Sequence, residues 1–180
     1  YMGHIKKMEP LDFQELIQKR EDWVRSSKEN KFDFDSILAG LYNDPSHFIF
    51  EILQNAEDAG AKTVIFKLGE NQLEITHDGK DFNADDIAAI TGIGVSTKKE
   101  DINAIGKFGV GFKSVFAITQ TPMIHSGKYH FEIKDFVVPS PTNANDLIRT
   151  TNIILPFNHK SRSREQVFAL VQDKLENLGL

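Results

Sequence analysis

Three glycines fall within six residues, Gly106-Lys107-Phe108-Gly109-Val110-Gly111, and a largely apolar run from Phe112 to Ile118 follows directly. No other stretch constrains the chain so tightly. Glycine permits backbone angles and close approaches that a Cβ forbids. A helix that starts behind it presents unpaired N–H groups and the positive end of its dipole. Such a turn suits an anion, a phosphate above all. The order G-x-x-G-x-G is neither the dinucleotide fingerprint G-x-G-x-x-G nor the P-loop G-x-x-x-x-G-K-[ST].

Two further stretches carry chemistry. Asp44-Pro45 reads as a helix start, with Asp as N-cap and Pro at the first helical position, and Gly60 reads as the stop. Between them Glu51, Asn55 and Asp58 are spaced i, i+4, i+7 on one helical face, with Phe48, Ile49, Ile52, Leu53 and Ala56 on the apolar one. The ordinary reading is a solvated stripe. The chemical one directs a carboxylate and a carboxamide into a pocket, Glu51 as general base on water and Asn55 as a neutral oxygen ligand for Mg²⁺. The second stretch, His77-Asp78-Gly79, closes a strand. It is either a strand–turn corner or a carboxylate that accepts from an adenine amino group.

The remaining pattern sets these on a frame. Residues 1–9 have no clear period and two early methionines, and are set aside as an expression remnant. Helices are expected over residues 10–30, 34–42, 44–58, 82–91 and 112–118, and behind the capping box Ser163-x-x-Gln166. Strands are expected over residues 63–68, 72–76, 122–125, 130–136 and 152–157, with Gly-rich residues 92–106 as a mobile loop and the Pro/Ser/Asn stretch 139–145 as another. This order implies an α+β two-layer sandwich: one mixed, mostly antiparallel sheet with helices on one face. Residues 10–180 read as one domain. The 180 residues contain no Cys, which excludes disulfides and thiolate chemistry, and the six His show no metal-ligand spacing, so no zinc site is expected. A net charge of −5 argues against general nucleic-acid affinity, and no apolar run is long enough for a membrane span. A cytoplasmic setting is the expectation.

Taken together, the motifs resemble the GHKL ATPase superfamily of gyrase B, the large heat-shock chaperone, histidine kinases and MutL, whose ATP-binding region has the Bergerat fold. Glu51-Ile-Leu-Gln-Asn55-Ala-Glu-Asp58-Ala59 looks like the N-box, and Asp78-Gly79 lies where the superfamily reads adenine. Gly106-Lys-Phe-Gly109-Val-Gly111-Phe112 looks like the second glycine box. Thr150-Thr151-Asn-Ile-Ile-Leu155 resembles the last motif, in which a threonine supports the adenine-binding carboxylate. Gln54 to Asp58 and Phe112 to Phe116 look most like the sacsin-like and MORC-like branches. One departure stands out. Where the first glycine box reads Asp-x-Gly-x-Gly, this chain has His77-Asp78-Gly79-Lys80-Asp81. Either Asp78 takes the adenine contact or His77 replaces it with a ring nitrogen. Chemistry favours Asp78, since a carboxylate makes the stronger bond.

The resemblance implies slow, Mg²⁺-dependent ATP hydrolysis by the N-terminal module of a longer protein. Asn55 would contact Mg²⁺ and Glu51 would orient and deprotonate the water. Asp58, His77, Asp78, Gly79 and Thr151 would line the nucleotide. The backbone of Gly106, Lys107, Phe108, Gly109, Val110, Gly111 and Phe112 would hold the phosphates, with Lys98 or Lys107 adding charge and residues 92–106 as the lid. ATP and ADP are the expected ligands, with a nucleotide-dependent homodimer and further domains of the same chain as partners. The alternatives are a nucleotide sensor with little turnover and a histidine-kinase-type phosphotransfer domain, against which Glu51 argues.

Overall fold

In a computed structural model of the chain, residues 12–92, 109–144 and 150–178 are described. Three helices open the fold: α1 (Phe13–Glu29), α2 (Phe34–Leu41) and α3 (Phe48–Asp58). The hairpin β1 (Val64–Leu68) and β2 (Gln72–His77) follows, then α4 (Ala84–Thr91), the short α5 (Gly109–Lys113) and a 3₁₀ turn (Ser114–Ala117). Strands β3 (Met123–Ser126), β4 (Tyr129–Lys134), β5 (Val138–Pro141) and β6 (Thr151–Pro156) precede the last helix, α6 (Arg164–Glu176). One six-stranded sheet runs β1-β2-β6-β3-β4-β5. Every pairing in it is antiparallel, so the sheet is more uniform than the mixed one expected.

Strand alternation makes one face of the sheet apolar. Leu73 and Ile75 on β2, Ile124 on β3, Phe131 and Ile133 on β4, and Ile153 and Leu155 on β6 are buried there. Leu16, Ile49, Ile52, Ile87, Phe112, Val115, Val167 and Val171 from the helices join them in one core. This is the α+β two-layer sandwich with helices on one face. Burying each such side chain contributes roughly 1.5–3 kcal/mol.

Three local expectations are corrected. Helix α3 starts at Phe48, not at residue 44. The Asp44 carboxylate accepts from the Ser46 N–H at 2.9 Å and the Ser46 hydroxyl at 2.7 Å, and receives Lys174 Nζ at 3.0 Å. It therefore closes a turn ahead of the helix, and these bonds lower its pKa to about 2. The stop is as expected: Gly60 has φ +74°, its N–H reaches Glu57 O, and the Ala61 N–H reaches Ala56 O, a Schellman closure. The expected helix 112–118 instead begins at Gly109 and tightens to 3₁₀ after Lys113, where the Ser114 hydroxyl bonds back to Gly111 O. Part of the expected loop 139–145 is strand β5. It lies at the sheet edge, where the missing N–H groups of Pro139 and Pro141 break no inner ladder. Among the described residues no helix is long and apolar enough to cross a membrane.

Candidate functional site

Helix α3 and the start of α5 meet. Helix α3 buries Phe48, Ile49, Ile52 and Ala56 in the core, which leaves Glu51 and Asn55 half-buried on its flank. Helix α5 crosses that flank at Gly111. A Cβ on Gly111 would collide with Glu51 Oε2 and lie 3.0 Å from its Cδ. A side chain at this position would push the carboxylate aside, so the glycine leaves it seated against the α5 backbone. The other oxygen, Oε1, lies 3.1 Å from His47 Nε2, one turn earlier on the same flank, and the His47 ring stacks on Tyr42 at 4.8 Å. The carboxylate is thus held on one side by an imidazole and faces the glycine turn on the other. Burial and the charge of Glu51 raise the pKa of Tyr42. His47 escaped the sequence reading, although its i, i−4 spacing from Glu51 was there to find.

Along the same flank the residues part company. Asn55 is half-buried, and its amide makes no hydrogen bond among the described residues. Asp58 is exposed at the helix end and accepts from Gln54 Nε2 at 3.1 Å. Phe112 is buried in the core, and its side chain serves packing.

At the end of β2, adjacent residues diverge. His77 is 3% exposed and faces the helices. Its Nδ1 accepts the Gly79 N–H at 3.1 Å, and burial lowers its pKa despite Asp78 and Asp81 nearby. With Nδ1 accepting, the ring nitrogen left to donate is Nε2. Asp78 points the other way. Its Oδ1 accepts from the N–H groups of Lys62 at 2.8 Å and Thr63 at 2.9 Å, and these bonds lower its pKa. Through Oδ1 the carboxylate pins the segment that leads into β1. Gly79 is needed for contact: a Cβ there would lie 3.0 Å from both Ala59 Cβ and His77 Nδ1.

Thr151 on β6 is paired with His77 and is fully buried, so the two share the inner face. Its hydroxyl lies 2.6 Å from Ser126 Oγ, which accepts the Phe82 N–H at 2.8 Å. Ser126 thereby ties the segment after Gly79 to the sheet, a role invisible without strand register. Nearby, Lys113 is 3% exposed and donates to Ile90 O at 2.8 Å and Phe136 O at 2.9 Å. It clasps the C-terminal end of α4 to the β4–β5 turn. Gly109 and Val110 open α5, while Lys98, Gly106, Lys107, Phe108 and the expected lid lie outside the described residues.

Comparison with known proteins bears on this geometry. Protein NO VEIN of Arabidopsis thaliana is 39% identical over 97 residues, 51% of this chain and 4% of that protein. Human (Homo sapiens) sacsin is 33% identical over 112 residues, 53% of this chain and 2% of sacsin. The chain thus spans a few per cent of the length of these relatives. The N-terminal domain of a DNA repair protein shares the fold, with a TM-score of 0.52 at 10% identity over 79% of this chain and 44% of that one. The Sacsin domain profile matches residues 33–174, from the start of α2 into α6 and across every motif above. The chain belongs to the sacsin domain family.

Proposed function

We propose that this domain binds Mg²⁺·ATP between α3 and α5 and hydrolyses it slowly, with Glu51 as general base. The observation that carries the reading is the approach of Gly111 to Glu51 Oε2. It sets a carboxylate against the turn that the resemblance assigns to the phosphates. In the proposed step water attacks the γ-phosphorus, Glu51 takes the water's proton, and the bond to the β–γ bridging oxygen breaks to release ADP and phosphate. His47 holds Glu51 Oε1, so the other oxygen is presented in one orientation. Asn55, half-buried and without a partner among the described residues, fits a hard-cation ligand and would hold Mg²⁺. When bound, that ion supplies charge neutralisation to the phosphates. The N–H groups that open α5 would face the phosphate oxygens. Because the relatives are far longer than this chain, the proposal includes coupling of nucleotide state to a homodimer or to further domains.

A second reading, a nucleotide sensor with little turnover and relaxed base choice, draws on the β2 end. There His77 Nδ1 is taken by the Gly79 N–H and Asp78 Oδ1 by the N–H groups of Lys62 and Thr63, which leaves Asp78 Oδ2 as the carboxylate acceptor for an adenine amino group. Turnover and calorimetric binding, measured with ATP and with GTP on wild type and Glu51→Ala, separate the two. Hydrolysis lost in the variant with binding kept supports the ATPase. Equal binding of both nucleotides with no turnover in either protein supports the sensor.

A further inference from the structure

On the sheet face opposite the helices, we propose a site for a divalent transition ion of the Zn²⁺ type, held by His125, His130 and Asn152 and independent of the nucleotide reading. His125 on β3 is paired with His130 on β4, and Asn152 on β6 is paired with His125, so all three project from one face. The His130 carbonyl accepts the Thr142 N–H at 2.9 Å and so turns away from β3. His125 and His130 therefore form a non-hydrogen-bonded pair, the kind in which facing side chains come closest. Their Nδ1 atoms converge to 2.7 Å. A Zn²⁺ ion with two nitrogens at about 2.0–2.1 Å and a tetrahedral angle needs them roughly 3.3 Å apart, a small ring rotation away.

The second, independent observation is Asn152. It is 1% exposed, and its Oδ1 has no hydrogen-bond partner among the described residues. Its Nδ2 donates to Glu74 Oε1 at 2.9 Å and to Thr76 Oγ1 at 3.0 Å, both on β2. The planar amide then turns Oδ1 away from β2, toward the histidine strand. A buried oxygen left unpaired costs about 1–3 kcal/mol, and an ion held by the two imidazoles gives it a partner. Glu74 and Thr76 fix the amide as outer-shell groups do around metal ligands. Imidazole and neutral oxygen donors suit Zn²⁺, Co²⁺, Ni²⁺ or Cu²⁺. Water completes the set. The five-residue separation in sequence resembles no familiar ligand spacing; the hairpin register alone makes the pair.

The test is titration of the whole chain with Zn²⁺ by calorimetry and with Co²⁺ by visible absorption, for wild type, His130→Ala and the His125→Ala/His130→Ala double variant. Circular dichroism establishes that each is folded. His130 is only half-buried, so the single variant keeps the comparison available if the double one does not fold. Expected are one Zn²⁺ site in wild type, at least tenfold weaker in His130→Ala, and a tetrahedral Co²⁺ band lost in the same variant. Equal affinity in wild type and His130→Ala, or no saturable wild-type site, overturns the proposal and leaves a hydrogen-bonded histidine pair.

Discussion

The two ends of the candidate site obey different rules. At α3 and α5 the Glu51 carboxylate meets the backbone at Gly111, and Asn55 lies half-buried one turn further along α3. At the end of β2 two adjacent residues diverge: His77 is buried and Asp78 is exposed, with its Oδ1 on the N–H groups of Lys62 and Thr63. A helix repeats over several residues, so a stripe of side chains shares a face however the helix is docked. A strand alternates at every residue, so a register difference of one exchanges inside for outside. Motif chemistry therefore transfers more safely along helices than at strand ends.

The comparison breaks most sharply at the helical end. Asn55→Ala is expected to abolish Mg²⁺·ATP binding by calorimetry, and unchanged affinity would remove Asn55 from the site. Glu51→Ala is expected to keep nucleotide bound and lower turnover about 10²–10⁴-fold, the usual contribution of a positioned base. A wild-type rate in that variant would reduce Glu51 to a surface carboxylate. Gly111→Ala comes next. Its methyl group displaces the Glu51 carboxylate by roughly an ångström, and misplacement of that size costs about 10²-fold in rate. The carboxylate is the mobile end of a flexible side chain, so the variant should fold, with near-normal thermal unfolding. Full activity would show that the contact does not constrain the base.

The strand end is sharpened by Asp78→Asn. The wild-type carboxylate holds two backbone N–H groups and has a lowered pKa, so its contribution to stability is present above the ordinary carboxylate pKa and lost as pH falls through the folded value. The variant should unfold at lower denaturant near neutral pH, lose part of the acid dependence, and bind nucleotide as wild type does. Weakened ATP binding with unchanged stability would return Asp78 to the site.

The last effect concerns Lys113. Burial first, and the charge of Arg20 second, lower its pKa from 10.5 to about 7. Between about pH 7 and 10.5 the unfolded chain holds a proton that the folded protein has released, so stability rises with pH across that window. Chemical denaturation at pH 7 and pH 9 should show the rise in wild type and lose it in Lys113→Met. A parallel rise in both proteins would place its origin elsewhere.

Much of this was legible without coordinates. The hairpin β1–β2, the capping box of Ser163 and Gln166, the stop at Gly60 and the flank carrying Glu51 and Asn55 all depend on neighbours within a few residues, and local spacing encodes such neighbours. Strand β5 was hidden because its prolines read as a loop until the edge position excuses them.

By itself, the amino-acid sequence determined the layered fold class, the order of the elements apart from β5, and the flank of α3 that carries Glu51 and Asn55, because periodicity and capping act over one or two turns. Only the tertiary structure decided the rest. The Asp78 carboxylate finds its donors at Lys62 and Thr63, 15 or more residues away. Thr151 finds Ser126 at a separation of 25 residues, and Lys113 finds Ile90 and Phe136 at 23 each. A polar group satisfies its hydrogen bonds with whatever the packed chain brings beside it, and which groups those are depends on sheet register and helix docking rather than on local order.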